Sequence, residues 1–287
     1  MICRALLILT GLLPACIAQA AGLDIPATQV VPAGEVVLGA DNTDIAAGAD
    51  EFPQRRVTVT AAFAMGMTQV TRGQFRRFAE ATGFAPKGGC WALTSAGWII
   101  DPDRSWRSPG YPQTDAHPVV CISRNDALAY LAWLTDESGM DFRLPTEAEW
   151  TLAAGPSALG RSSQDICTFG NVNDLTSKNK VAKVAEHCDD GFLFTSPAGH
   201  FLPNEFGLFD MTGNVWEWTA DCHGGGFANL PKDGSPQAER DCAAYALRGH
   251  SWTDPPGPVR LGTRYALPGG ARQSIVGFRV ARGAADD

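Results

Sequence analysis

The sequence predicts a loop-rich fold in which a few helices and strands are separated by irregular segments. Composition is the first indication: 31 glycines and eight tryptophans among 287 residues describe irregular segments pinned by aromatic side chains. The second is that periodic stretches are short, with a few amphipathic helix patterns and a few strand patterns separated by Gly-, Pro- and Asp-rich runs. A third is the absence of any internal repeat, low-complexity tract or interdomain linker, which makes one domain the economical reading. With 45% hydrophobic and 19% charged residues, the chain can bury a sizeable core. A net charge of −8 argues against a nucleic-acid footprint or a polybasic membrane patch.

The chain opens on an export signal. Arg4 precedes the apolar run ALLILTGLLPACIA, and Ala18-Gln19-Ala20 forms an A-x-A cleavage pattern, so residues 1–20 read as a signal peptide. The run is too short and wrongly flanked for a membrane span. Leu13-Pro14-Ala15-Cys16 offers a competing lipoprotein reading with Cys16 lipidated, although Pro14 is an unusual neighbour for that motif. Either way the mature protein is expected in the periplasm or outside the cell. Residues 21–34 read as an N-terminal extension and 35–287 as the domain.

Within the domain, Glu35–Gly39 is a strand candidate, and Arg56–Thr60 alternates at period two, as a half-buried strand does. Thr71 caps a helix in which Phe75, Phe78, Ala79 and Thr82 share one face, and Gly83 ends it. Residues 87–118 show little pattern and read as a long loop with short strands. Ser123, with Asp126 three residues on, opens a second helix with Ala127, Leu131 and Leu134 on its buried stripe. Thr146 and Glu149 form a capping box for a third helix ended by Gly155. Capping accounts for Glu147 and Glu149 better than an acid–base carboxylate pair does. Leu247–Trp252 reads as a turn after a strand, and Gly277–Arg282 as a closing strand.

An exported chain is expected to use its cysteines in disulfides. Without Cys3 and Cys16, six remain, and six cysteines allow fifteen pairings. Each successive pair flanks a Gly/Pro/Asp-rich stretch, which favours Cys90–Cys121, Cys167–Cys188 and Cys222–Cys242, each closing a local loop. None of these has the C-x-x-C spacing of a zinc or redox motif.

The stretch NEFGLFDMTGNVWEWTAD, residues 204–221, gathers oxygen donors, turn glycines and tryptophans. A turn at Thr212-Gly213-Asn214 brings the Asp210 and Glu217 carboxylates towards the carbonyls of Gly213 and Val215, a set that suits Ca2+. The alternative is a plain β-turn with Asn214 at positive φ and both tryptophans buried. A second oxygen-rich cluster, Gly170-Asn171-Val172 with Asp189–Phe192, is brought together by the Cys167–Cys188 bridge.

Taken in order, the Val70-Thr71 helix start, HPVVCIS, RLPTEAEW, GNVND, DDGF, NEFGLFDMTGNVWEW, RGHSW and VGFRVAR resemble the formylglycine-generating-enzyme, or sulfatase-modifying-factor, family over about residues 35 to 283. The resemblance implies a compact, loop-rich α+β domain with a C-type-lectin-like core and modest regular structure. It also implies one Ca2+ at Asn171, Val172, Asp190 and Phe192, and another at Asp210, Gly213, Val215 and Glu217, with carbonyls at Val172, Phe192, Gly213 and Val215. At 210 a family enzyme carries Asn, and Asp keeps an oxygen ligand while adding charge.

The family's copper is held by two cysteines after a G-G-S turn. Here that turn is Gly249-His250-Ser251, and the two positions are Asp254 and Val259, neither of which offers the thiolate that Cu(I) wants. Copper-dependent formylglycine formation is therefore not expected. The inherited groove would be lined by Trp216, Trp252 and Arg264, with the Pro255–Pro258 loop at its rim. His250, Ser251 and Asp254 are weak catalytic candidates, His250 as a base oriented by Asp254; a lone His beside Ser and Trp is more often structural. No H-x-x-x-H-x-E pattern supports the iron-dependent sulfoxide synthases as a model. Two classes of function follow from the resemblance. One is a binding or regulatory accessory module for a peptide or small ligand, like periplasmic members that regulate type VI secretion. The other is a tailoring enzyme, like the periplasmic member needed for pyoverdine maturation.

Overall fold

Helix starts fall where a side chain can satisfy the first free backbone amides. Thr71 accepts from the N–H of Gln74 and opens α1 (Arg72–Thr82), which ends at Gly83 in the left-handed region. Ser123 and Asp126 do the same for α2 (Arg124–Ser138), and Thr146 and Glu149 for α3 (Glu147–Ala154). A four-residue turn of helix, α4 (Ile166–Phe169), follows. The computed structural model describes residues 23–94, 97–156, 165–177, 187–238, 241–254, 260 and 262–284. The expected signal peptide, Cys16, Val259 and the Pro255–Pro258 loop lie outside these.

Four small sheets surround the helices. β1 (Thr28–Val31) and β11 (Ala281–Gly283) both pair antiparallel with β4 (Phe63–Gly66). β2 (Gly34–Leu38) pairs with β3 (Arg55–Val59), placing Val36 opposite Val57. β5 (Cys90–Thr94) and β6 (Gly97–Asp101) form a hairpin. The largest sheet has the order β10-β7-β8-β9, from β10 (Val276–Gly277), β7 (Trp216–Cys222), β8 (Tyr245–Arg248) and β9 (Tyr265–Leu267). β10 runs parallel to β7, and the other two pairs are antiparallel.

Two sequence expectations change here and one is filled in. The 21–34 extension is part of the domain, because Thr28–Val31 completes one side of the β4 sheet. The short strands expected within 87–118 are β5 and β6, whose Trp91 and Trp98 rings stack at 4.3 Å. The closing strand is two strands, β10 and β11, which belong to different sheets.

Among the described residues the core has two main lobes, with a small third cluster of Ile166, Cys167 and Val172. One gathers Phe75 and Phe78 of α1, Tyr130 and Leu134 of α2, Trp106, Trp218, Trp252 and Phe278. Phe75 lies 5.3 Å edge-on from Trp106 and 5.9 Å stacked on Tyr130. Burying a side chain of this size contributes about 1.5–3 kcal/mol, and truncating it to Ala costs about 3–5 kcal/mol. The other lobe joins Trp150, Ala153, Leu38, Met65 and Phe227.

The disulfides are the three expected from spacing: Cys90–Cys121, Cys167–Cys188 and Cys222–Cys242, spanning 31, 21 and 20 residues. Among the described residues, no helix is long and apolar enough to cross a membrane.

Candidate functional site

Residues 170–172 and 212–214 touch backbone to backbone, and this contact places the two oxygen-rich clusters side by side. A Cβ on Gly170 would lie 1.6 Å from the Thr212 carbonyl oxygen, and one on Gly213 would lie 2.1 Å from that of Asn171. Only glycine fits at either place, and Gly213 also needs its φ of 89°. The Asn214 N–H donates to the Asn171 carbonyl at 2.7 Å. Asn214 itself adopts φ 63°, as the turn reading anticipates. Its side chain ties the turn to the Ser196 backbone and to Gln69.

In the first cluster, Asp190 accepts the N–H groups of Val172 and Phe192 at 2.8 Å each. Burial pushes its carboxyl up to about 7; those two N–H groups oppose the shift, and the charges of Asp174 and Asp189 add to it. Asn171 donates to the Phe194 carbonyl at 2.7 Å, while its Oδ1 is buried without a partner. Asp174 was not anticipated as a site residue. One ligand atom each of Cys167, Asp174 and Asp190 lies within 4.8 Å of the others, but the Cys167 sulfur is committed to its disulfide. An unpaired amide oxygen and a carboxylate with spare lone pairs fit a hard divalent cation. Asn171, Asp190 and the carbonyls of Val172 and Phe192 are the groups that would hold it.

The second cluster is different. Asp210, at φ 54°, accepts the Gly199 N–H at 2.7 Å and leaves Oδ1 buried and unpartnered. Burial pushes its carboxyl up to about 6, although the Gly199 N–H and Arg279 pull it down. Glu217, however, receives four donors. Arg279 spans both its oxygens at 2.7 Å each, Trp150 Nε1 donates at 2.7 Å, and Gln69 Nε2 at 3.0 Å. A carboxylate offers about four acceptor sites, so Glu217 has none left for a metal. Asp210 fits a cation here and Glu217 does not. Arg279 stands in the VGFRVAR segment but 62 residues away, which is why local spacing did not reveal it as the partner.

Behind these clusters lies a buried ionic group. Glu147 is held by Arg264 at 3.0 and 2.6 Å, with Arg248 at 3.6 Å. Glu147 is thus the buried counter-charge of two arginines, and only Glu149 serves the cap that the sequence assigned to this pair. Asp221 accepts the N–H groups of Glu147 and Gln237 at 2.7 Å each. Burial and the Glu147 charge push Asp221 up to about 7, and burial takes Arg248 down to about 10.

The expected groove is not an open face. The Arg264 side chain is fully buried against Glu147 and over the Phe227 ring. Trp216 and Trp252 are 4% and 1% exposed, because Trp216 begins the central strand β7 and Trp252 packs on Tyr111, Phe194 and Trp98. An aromatic next to an arginine reads the same in sequence whether it floors a groove or fills a core. His250 is half-buried 5.2 Å from the Trp216 ring. Burial lowers its pKa, and the Asp254 charge opposes that shift. Asp254 Oδ2 accepts both the N–H and the hydroxyl of Ser251 at 2.6 Å. It braces the turn through Ser251, and Ser251 is not aligned on a histidine base by any hydrogen bond among the described residues.

Residues 15–284 match the model of the sulfatase-modifying factor enzyme 1-like domain. The chain belongs to the sulfatase-modifying-factor family. This family member is 30% identical over 225 residues to the formylglycine-generating enzyme of Thermomonospora curvata, covering 67% of this chain and 70% of that one. It is 31% identical over 290 residues to the inactive C-alpha-formylglycine-generating enzyme 2 of Bos taurus, covering 88% and 87%. It spans 57% of the mouse formylglycine-generating enzyme. Among solved structures, PvdO from Pseudomonas aeruginosa superposes with a TM-score of 0.76 and 32% identity, over 90% of this chain and 95% of that one. The loop-rich α+β architecture is therefore that of the formylglycine-generating enzymes.

Proposed function

We propose that this sulfatase-modifying-factor domain is an exported, Ca2+-stabilised accessory protein that binds a peptide or small ligand and does not perform copper-dependent formylglycine chemistry. One observation carries the reading: all six cysteines from Cys90 to Cys242 are closed in disulfides, and at the copper position Asp254 is engaged with Ser251. Cu(I) chemistry requires thiolates, and neither a carboxylate nor the Val259 side chain replaces them. Ca2+ at the first cluster would neutralise Asp190 and use the orphan Asn171 oxygen, tying 171–172 to 190–192. Export is supported by the leader pattern of residues 1–20 and by the disulfides.

The test is a metal inventory of purified protein together with oxidation of a sulfatase-derived cysteine peptide. Calcium without copper, and no aldehyde, is the expected result; stoichiometric copper with aldehyde formation overturns the reading. A second reading, a periplasmic tailoring enzyme of the pyoverdine-maturation type, is favoured by the similarity to PvdO. His250 is then the candidate base. A folded His250→Ala variant that retains the biological activity of the wild type removes that reading.

A further inference from the structure

The 590 Å³ cavity beside the β5–β6 hairpin carries chemistry that the calcium clusters and the copper-position turn do not use. Leu93 and Ile99 from the hairpin and the ring of Phe194 make it apolar. Asp101, Arg104 and Gly110 add one charged wall. A second cavity, of 420 Å³, is lined by Gln113, Thr114, His117, Phe192 and again Phe194. The two hollows thus share one aromatic residue and form a trough.

That aromatic residue is fixed from below. The Phe194 ring lies parallel to Tyr111 at 4.7 Å, with an interplanar angle of 6°, and meets Trp252 edge-on at 5.3 Å. Its carbonyl is held by Asn171. The charged wall is fixed as well. Arg104 Nε donates to Asp101 Oδ2 at 3.0 Å, and the guanidinium lies over Gly110, where a Cβ would stand 3.6 Å from Nε. The Arg104 side chain remains 33% exposed, and no hydrogen bond among the described residues occupies its Nη atoms. A guanidinium held through Nε presents its outer N–H groups as a ready fork for a carboxylate.

We propose that this trough takes the C-terminal end of a peptide with an apolar or aromatic last residue, its carboxylate on Arg104 and its side chain on Phe194, Leu93 and Ile99. The complementarity is of both kinds: a pre-positioned cation faces the carboxylate, and an apolar bed faces the side chain. The continuation past Phe194 gives the upstream residues of the peptide a path along 191–195. The inference rests on the reading of the protein as a binding module and gives that reading a location, away from the buried Trp216 and Arg264.

N-acetyl-phenylalanine and its C-terminal amide are the probes, titrated into the full protein in Ca2+ and followed by tryptophan fluorescence and calorimetry. The acid is expected to bind at least about 10-fold more tightly than the amide, as a charge-assisted fork requires. Arg104→Gln brings the acid to the level of the amide and leaves the amide unchanged. Ile99→Ala, at the exposed rim, weakens both without threatening the core. Equal binding of acid and amide, binding of neither at millimolar concentration, or an acid preference that survives Arg104→Gln overturns the site. Aldehyde formation in the peptide-oxidation assay would instead remove the binding-module reading, so the two failures are told apart.

Discussion

At 210–217 the buried Glu217 carboxylate meets Arg279, Trp150 and Gln69, whereas at 171–192 Asp190 meets only backbone N–H groups, with two further carboxylates nearby. The strings are similar: oxygen-bearing side chains around a Gly-containing turn. The difference lies in whether the fold supplies a cation of its own. Where an arginine arrives from a distant strand, the cluster is internally neutralised and structural. Where none arrives among the described residues, the negative charge would suit an external ion. Among the described residues, neither Asp190 nor Asp174 makes an ion pair, while the Arg279–Glu217 pair is almost wholly removed from solvent.

The largest expected effect breaks the neutralised side. Glu217→Gln leaves the Arg279 guanidinium buried without its counter-charge and lowers unfolding stability by about 3–5 kcal/mol. Urea unfolding should show the same loss with Ca2+ and with chelator, because Glu217 has no lone pair for the metal. A loss that grows in chelator would return Glu217 to the ligand set.

Next is a pH effect at the other end of β7. Burial and the Glu147 charge push the folded Asp221 carboxyl up to about 7, well above the ordinary carboxylate value of about 3.9. The folded state holds that proton more tightly, so its contribution is fully present below pH 4 and is lost as pH rises to 7. The span corresponds to as much as about 4 kcal/mol. Asp221→Asn should flatten this decline in the urea midpoint between pH 4 and 7, and an unchanged slope would show that another group carries it.

Third, Ca2+ at a hundred times its dissociation constant should stabilise the wild type by about 2.7 kcal/mol. Asp190→Asn should abolish this gain in scanning calorimetry, and Asp210→Asn should retain it. The reverse order would exchange the roles of the two clusters. The smallest effect is Thr146→Ala, which removes the α3 cap and costs about 1 kcal/mol. Because α3 carries Trp150, the loss should be accompanied by a shift in tryptophan emission.

What was legible in the sequence was local. Thr71 as a cap, Ser123 with Asp126, and Thr146 with Glu149 are patterns at most three residues wide, and each marks a helix start in the structure. The disulfides followed from loops that close nearby. Long-range partners were not legible: Arg264 reaches Glu147 across 117 residues, and Arg279 reaches Glu217 across 62. No spacing announces such a pair, so Glu147 looked like a cap, Glu217 like a ligand and Arg264 like a groove wall. The pairing of β5 with β6 was not legible for another reason: β6 exposes Ile99 and Ile100 in succession and so shows no period-two alternation. β1 lacked contrast between its faces, with Val30 exposed and Val31 buried in succession.

β4 receives its two neighbours from opposite ends of the chain, residues 28–31 on one side and 281–283 on the other. A growing polypeptide therefore cannot finish this sheet until residues 281–283 have been made, and one edge of β4 stays unpaired until then. Such late closure of a non-local contact is slow.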